Sequence, residues 1–254
     1  MPDAEFDPSS DGFGFANDWT LSPGERDELR TRLAASVERA IRMLTPAFPG
    51  ALVLLAVAPR LGRVLTRGLP DTYGLCGGMA FAALDFHHHA GAEALSTEYP
   101  VRPPVGSPLY VYLWRRLIDS LTLNGHLFLA WFAMLHLVPG PLGGGPAWLL
   151  RRTREQVVDL CRRLEEEGPI PIGLIGQTPD LFNDHQVLAY SCDASTPDRP
   201  LIRVYDSNCP GTSSTIRLDL RGPMLGAEES CRGMRGDLRG LFCESYADAV
   251  PPRP

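Results

Sequence analysis

The sequence predicts an α+β fold, helices first and a mostly antiparallel sheet second, and three observations carry that prediction. Up to Glu167, apolar residues recur at spacings of three and four, the period of a helix face. From Gly168 the pattern changes to short runs bounded by Pro, Gly, Asp and Ser, the mark of strands and turns. Helical and strand segments are segregated along the chain rather than alternating, which favours α+β over a parallel βαβ sheet. With 254 residues, 44% of them hydrophobic, the chain can bury a large core, either in one domain or in two lobes sharing an interface.

The elements follow in order. Residues 1–20 are polar and glycine-rich and read as an N-terminal extension, with Phe13, Phe15 and Trp19 as anchors onto the body. A helical region spans 21–167. Ser22-Pro23-Gly24-Glu25 forms a capping box with proline in the first turn, and Leu29, Leu33, Val37, Ile41 and Leu44 continue as one stripe until Pro46. The segment from Cys76 to about Ala90 is apolar nearly all round, as befits a helix inside a domain. Ser107-Pro108 opens a helix to about Leu121, a further helix lies near 126–138, and Thr153 caps another that turns Val157, Val158, Cys161 and Leu164 inward. The β region spans 168–254, with strands at 170–175, 185–190, 201–206 and 215–220 and a last one at 240–245 that closes the sheet.

Composition excludes several classes of function. Against 30 acidic residues stand 24 basic ones, a formal charge of −6 with no basic run, so a nucleic-acid partner has no electrostatic footprint. The apolar stretches 51–58 and 127–138 are shorter than the roughly 20 residues of a spanning helix and read as core, with no membrane insertion. Six cysteines include no C-x-x-C pair. The acidic N-terminus has no apolar export core, so the expectation is free thiols in the cytoplasm, or export by a route without a recognisable signal.

Three segments carry chemistry. In Tyr73-Gly74-Leu75-Cys76-Gly77-Gly78-Met79 a cysteine opens a buried helix. Unpaired N–H groups and the positive helix end favour a thiolate there, and the same N–H groups point where an oxyanion would develop. Gly77 and Gly78 weaken a helix unless a substrate or a facing strand needs the room. The bland alternative is a small buried cysteine in a glycine-rich turn. His185 opens the run Asp184-His185-Gln186-Val187-Leu188-Ala189-Tyr190, on the same alternating face as Val187 and Ala189; alone, such a residue is more often a structural histidine. Asp206 ends the next apolar run, where its carboxylate can fix the imidazole tautomer, although Asp before Ser-Asn-Cys-Pro-Gly is also ordinary turn chemistry. Together they form nucleophile, base and orienter in chain order.

That order resembles the papain-like cysteine peptidases, and the strings GLCGGMAF, DHQVLAY and RVYDSNCPG resemble a bacterial branch of that superfamily. Phe13-Gly14-Phe15-Ala16-Asn17 and Leu113-Trp114-Arg115-Arg116 near Ser120 extend the likeness over most of the chain. The resemblance implies a helical lobe facing a β lobe, with Cys76, His185 and Asp206 in the cleft between them. It implies a thiol peptidase or amidase acting on a peptide or amide substrate through an acyl-enzyme, with no cofactor. One position departs from the pattern. Where such peptidases carry a glutamine as oxyanion donor, this chain has Pro70, leaving the second donor open among Tyr73, Gly77, Gln177 and Asn183.

Other motifs are weaker. Consecutive side chains of His87-His88-His89 point about 100° apart on a helix and cannot converge on one ion. Arg115 and Arg116 fit either a substrate carboxylate or a solvated helix face, His126 and His136 border an apolar helix, and Cys209 lies close enough to Asp206 in sequence for a link to Cys76 to be conceivable. Two alternatives to hydrolysis share the same residues: a transglutaminase-like acyltransferase, or a papain-like scaffold without turnover. A structural zinc site built from Cys76, His185 and Asp206 is a third.

Overall fold

Ser22 begins the first long helix as its sequence requires: its hydroxyl accepts the Glu25 N–H while the Glu25 carboxylate accepts the Ser22 N–H, with proline at the first turn. The computed structural model describes residues 5–46, 74–89, 95–231 and 237–252. Its helices are α1 (Pro8–Asp11), α2 (Pro23–Leu44), α3 (Cys76–His89), α4 (Leu95–Glu98), α5 (Pro108–His136) and α6 (Pro146–Glu167). Six strands follow: β1 (Ile170–Gly176), β2 (His185–Asp193), β3 (Leu201–Tyr205), β4 (Ser214–Asp219), β5 (Gly226–Glu229) and β6 (Leu238–Cys243). They form one antiparallel sheet in the order β5-β4-β3-β2-β1-β6, so the fold is α+β. The expected stretch 51–58 lies outside the described residues.

Where helices were expected near 108–121 and 126–138, a single 29-residue helix runs from Pro108 to His136. Gly125 does not break it, because a Cβ there would press on Ser36 of α2; the glycine marks a close helix–helix approach. By length and composition α5 could cross a membrane, yet 67% of its apolar window is buried inside the fold, as in the core helix of a soluble protein. Helix α6 begins at Pro146 rather than near Thr153, whose hydroxyl instead accepts the Leu241 N–H of β6. Val158 is 74% exposed while Val157 and Leu160 are buried, so the inward stripe is narrower than expected. Strand β5, Gly-Ala-Glu-Glu, has no β-branched or aromatic residue and so carries no strand signal.

Three apolar clusters hold these elements. One joins the N-terminal segment, α2, α3 and α5 with Leu188 and Tyr205 of the sheet. Phe13, Phe15 and Trp19 are buried in it, as anchors should be. The second packs Leu150, Val157 and Leu160 of α6 against the other face of the sheet. The change of character at residue 168 therefore does not separate two cores. The third joins the ends of α2 and α5 to Trp148, Ile175 and Phe242.

The cysteines overturn one expectation. Cys161 of α6 is bonded to Cys192 of β2, and Cys209 after β3 to Cys231 after β5, with Cα separations of 5.3 and 6.0 Å. Spacing along the chain carried no sign of either pair, because docking of α6 on β2 and the antiparallel return of the chain bring the partners together. Cys209 is thereby committed away from Cys76. Cys76 and Cys243 are the free thiols among the described residues.

Candidate functional site

The three side chains singled out from sequence converge. Cys76 is the first residue of α3, with Met79 N–H bonded back to the Leu75 carbonyl to close the first turn. His185 opens β2, and its Nε2 lies 2.9 Å from Oδ1 of Asp206, the residue following β3. Asp206 is 3% exposed and also accepts the Asn208 N–H at 2.9 Å. With Nε2 turned to Asp206, Nδ1 is the nitrogen left to meet Cys76, whose sulfur lies near enough to help raise the imidazole's pKa. Val187 and Ala189 pack toward α6, while Leu188 packs with α3. His185 reaches the thiol from the strand's first position, at the end of the sheet.

Electrostatics favour a charged imidazole. Burial opposes it, but the Asp206 carboxylate, by charge and hydrogen bond, and the Cys76 sulfur hold the His185 pKa well above its ordinary value. Burial likewise raises Asp206, and the His185 charge and hydrogen bonds outweigh it, leaving the carboxyl below its usual range. Glu229 of β5, half-buried and repelled by Asp206, is pushed up to about 7.

Gly77 and Gly78 are needed for space. A Cβ at Gly77 would clash with Gln186 and Ser120, and one at Gly78 with the Leu113 carbonyl of α5. The facing partners are thus β2 and α5, which bring the opening of α3 against the sheet. Gln186 sits in a buried polar network: its Nε2 donates to both Glu244 oxygens at 2.8 and 2.9 Å, and Asn124 bridges Glu244 to the Ser245 backbone. Burial pushes Glu244 up to about 8, so it is largely protonated at neutral pH. A carboxyl with an unfolded value near 4.5 and a raised folded value makes the fold lose stability as pH rises between them. Across that window the loss amounts to roughly a few kcal/mol. Glu244→Gln, a neutral isostere, is expected to flatten this fall; denaturant unfolding at pH 5, 7 and 9 for both proteins measures it.

The N-terminal segment takes part in the site. Asn17 accepts the Leu75 N–H on its side chain and donates its own N–H to the Ser207 carbonyl at 2.9 Å, tying the turn before Cys76 to the residue after Asp206. The disulfide at Cys209 secures the same loop from the other side. Asn208 places Nδ2 3.3 Å from His185 Nε2. None of Asn17, Gln186, Asn208 or Glu244 was assigned from sequence. Asn17 lay within a stretch that carried the family likeness, and Gln186 and Asn208 adjoin expected site residues.

The remaining expectations divide. Gln177 is exposed and accepts from Arg239, and Asn183 is exposed in a 3-10 turn (Leu181–Asn183) whose neighbours Phe182 and Asp184 line the cavity beside Cys76. Tyr73 lies outside the described residues. Arg115 is solvated, but Arg116 is 2% exposed and paired with Asp85 at 2.6 Å, neither reading the sequence offered for it. Its partner was hidden because Asp85 reads as one polar residue in an apolar helix. His88 and His89 both face Asp248, at 3.1 and 2.5 Å, at the exposed end of α3. Among the described residues no group of three or more His, Cys, Asp or Glu side chains forms a metal-binding cluster. No family model, curated protein or solved structure matches this chain.

Proposed function

We propose that the chain is a thiol-dependent hydrolase of papain-like type, a peptidase or amidase in which Cys76 attacks a carbonyl and His185, held by Asp206, moves the proton. The observation that carries this reading is the buried 2.9 Å bond from His185 to Asp206, with the Cys76 sulfur near enough to act on the same imidazole. His185 takes the thiol proton, the sulfur adds to the carbonyl, and His185 returns the proton to the leaving amine; water then resolves the acyl-enzyme. The N–H groups opening α3 supply the oxyanion site. An amine in place of water would make the same centre an acyltransferase. The two disulfides suit an oxidising compartment better than the cytoplasm, which favours an exported protein over the first of the two locations expected from sequence.

The test is site-selective alkylation. Iodoacetamide at mildly acidic pH, followed by peptide mass mapping, is expected to modify Cys76 well ahead of Cys243, and His185→Ala is expected to remove that lead. Equal labelling of both thiols in the wild-type chain counts against the proposal. Only 6% of Cys76 is exposed, which also suits a binding protein without turnover. That reading predicts that Cys76→Ala retains the chain's biological effect.

A further inference from the structure

Beside Cys76 lies a cavity of about 20 Å³, room for one water-sized group. Leu33, Leu121 and Phe128 make its apolar walls, and Gln186 and Asp184 are the polar side chains that share it with the thiol. The Gln186 amide is already engaged by Glu244 and Ser120. Asp184 differs. Its Oδ1 accepts the Gly176 N–H at 2.9 Å, whereas its Oδ2 is buried and has no hydrogen-bonding partner. Such an oxygen is costly unless something supplies it with a donor. The Asp180 carboxylate lies near enough to add a second negative field at Asp184. No arginine lines the cavity, and the chain contains no lysine, so a compact cation that fits there has to come from outside.

We propose that this cavity is a specificity subsite of the Cys76 centre and that Asp184 Oδ2 selects a primary ammonium on the substrate. The inference rests on Cys76 being the nucleophile. Size and charge choose the ligand class. An ammonium head matches a water-sized space and gains from both carboxylates, whereas a carboxamide is too large and a hydroxyl gains nothing from the second charge. An anionic group is repelled by the Asp180 charge and keeps Asp184 from ionising. Burial raises the Asp184 pKa well above its ordinary value, and an incoming cation is the partner that returns such a carboxyl to its charged form.

Three small alkylating reagents with different head groups test this: 2-bromoethylamine, iodoacetamide and iodoacetate. Each rate at Cys76 is divided by its rate with N-acetylcysteine, so intrinsic reactivity cancels. The wild-type chain is expected to favour the cationic reagent over the anionic one, and Asp184→Asn is expected to lower that ratio on the order of tenfold. Ethylammonium should also protect wild-type Cys76 from iodoacetamide while acetate does not, a measurement that needs no variant to fold. A ratio unchanged in Asp184→Asn, with no protection by ethylammonium, overturns the subsite while leaving the nucleophile intact. Cys76 reacting no faster than Cys243 with every reagent overturns the nucleophile reading, and the subsite with it.

Discussion

Asp206→Ala is expected to slow alkylation and acylation of Cys76 by about 10²- to 10⁴-fold, the range that loss of a positioned acid–base partner produces. The carboxylate does two things that alanine cannot. It accepts from His185 Nε2 and thereby fixes which nitrogen meets the sulfur, and its charge offsets the burial that otherwise keeps the imidazole neutral. Asp206→Asn keeps an acceptor but loses the charge, so it should retain more reactivity than alanine. Second-order rate constants for iodoacetamide at pH 6.5, with circular dichroism to confirm folding, measure the series. Equal reactivity in all three proteins removes Asp206 from the site.

The largest expected effect on stability comes from a pair that no functional reading used. Asp85, fully buried on α3, binds Arg116 of α5 at 2.6 and 3.0 Å and accepts from Tyr112, Tyr246 and the Ala249 N–H, while Arg116 donates to the Ala247 carbonyl. The cluster fastens residues 246–249 across both helices. Asp85→Ala strips a buried guanidinium of its two-point partner and leaves it the half-exposed Asp119 and the Ala247 carbonyl, which costs about 3–5 kcal/mol, a large share of a typical domain's stability. A chain of this size should lose on the order of 10 °C in melting temperature. Replacing both members, Asp85→Leu with Arg116→Met, should recover much of the loss because no charge is stranded. Thermal unfolding of the single and double variants decides it: if the single variant melts with the wild type, the cluster is not a structural hub.

How much of this was legible follows from where each signal resides. Capping at Ser22, the apolar stripe of α2 and the start of α3 at Cys76 are local, and the sequence states them in residue types. Cys76, His185 and Asp206 could be named because a cysteine opening a helix and polar residues at the ends of apolar runs are locally unusual. What could not be read was contact between distant polar groups. Asn17, Gln186 and Glu244 look like ordinary surface residues until the sheet edge and α5 close over them, and Arg116 looked solvated beside Arg115. Gly125 is a case of the same kind: a glycine that breaks a helix and one that lets α2 and α5 touch are the same letter. The disulfides were missed because pairing depends on strand return and helix docking, neither of which spacing encodes.

The central claim is that a buried imidazolium, charged because of Asp206, sits against the Cys76 sulfur. A nitrogen-15 NMR titration of His185 tests it most directly, with Asp206→Ala as reference. A base whose folded pKa is raised adds stability that is fully present below about 6.5 and is lost as pH climbs through the folded value. The account therefore predicts that both His185 nitrogens stay protonated at pH 7.5 in the wild-type chain and not in the variant, with stability falling on the alkaline side. A His185 ring that is neutral at pH 7.5, titrating alike in both proteins, would contradict it.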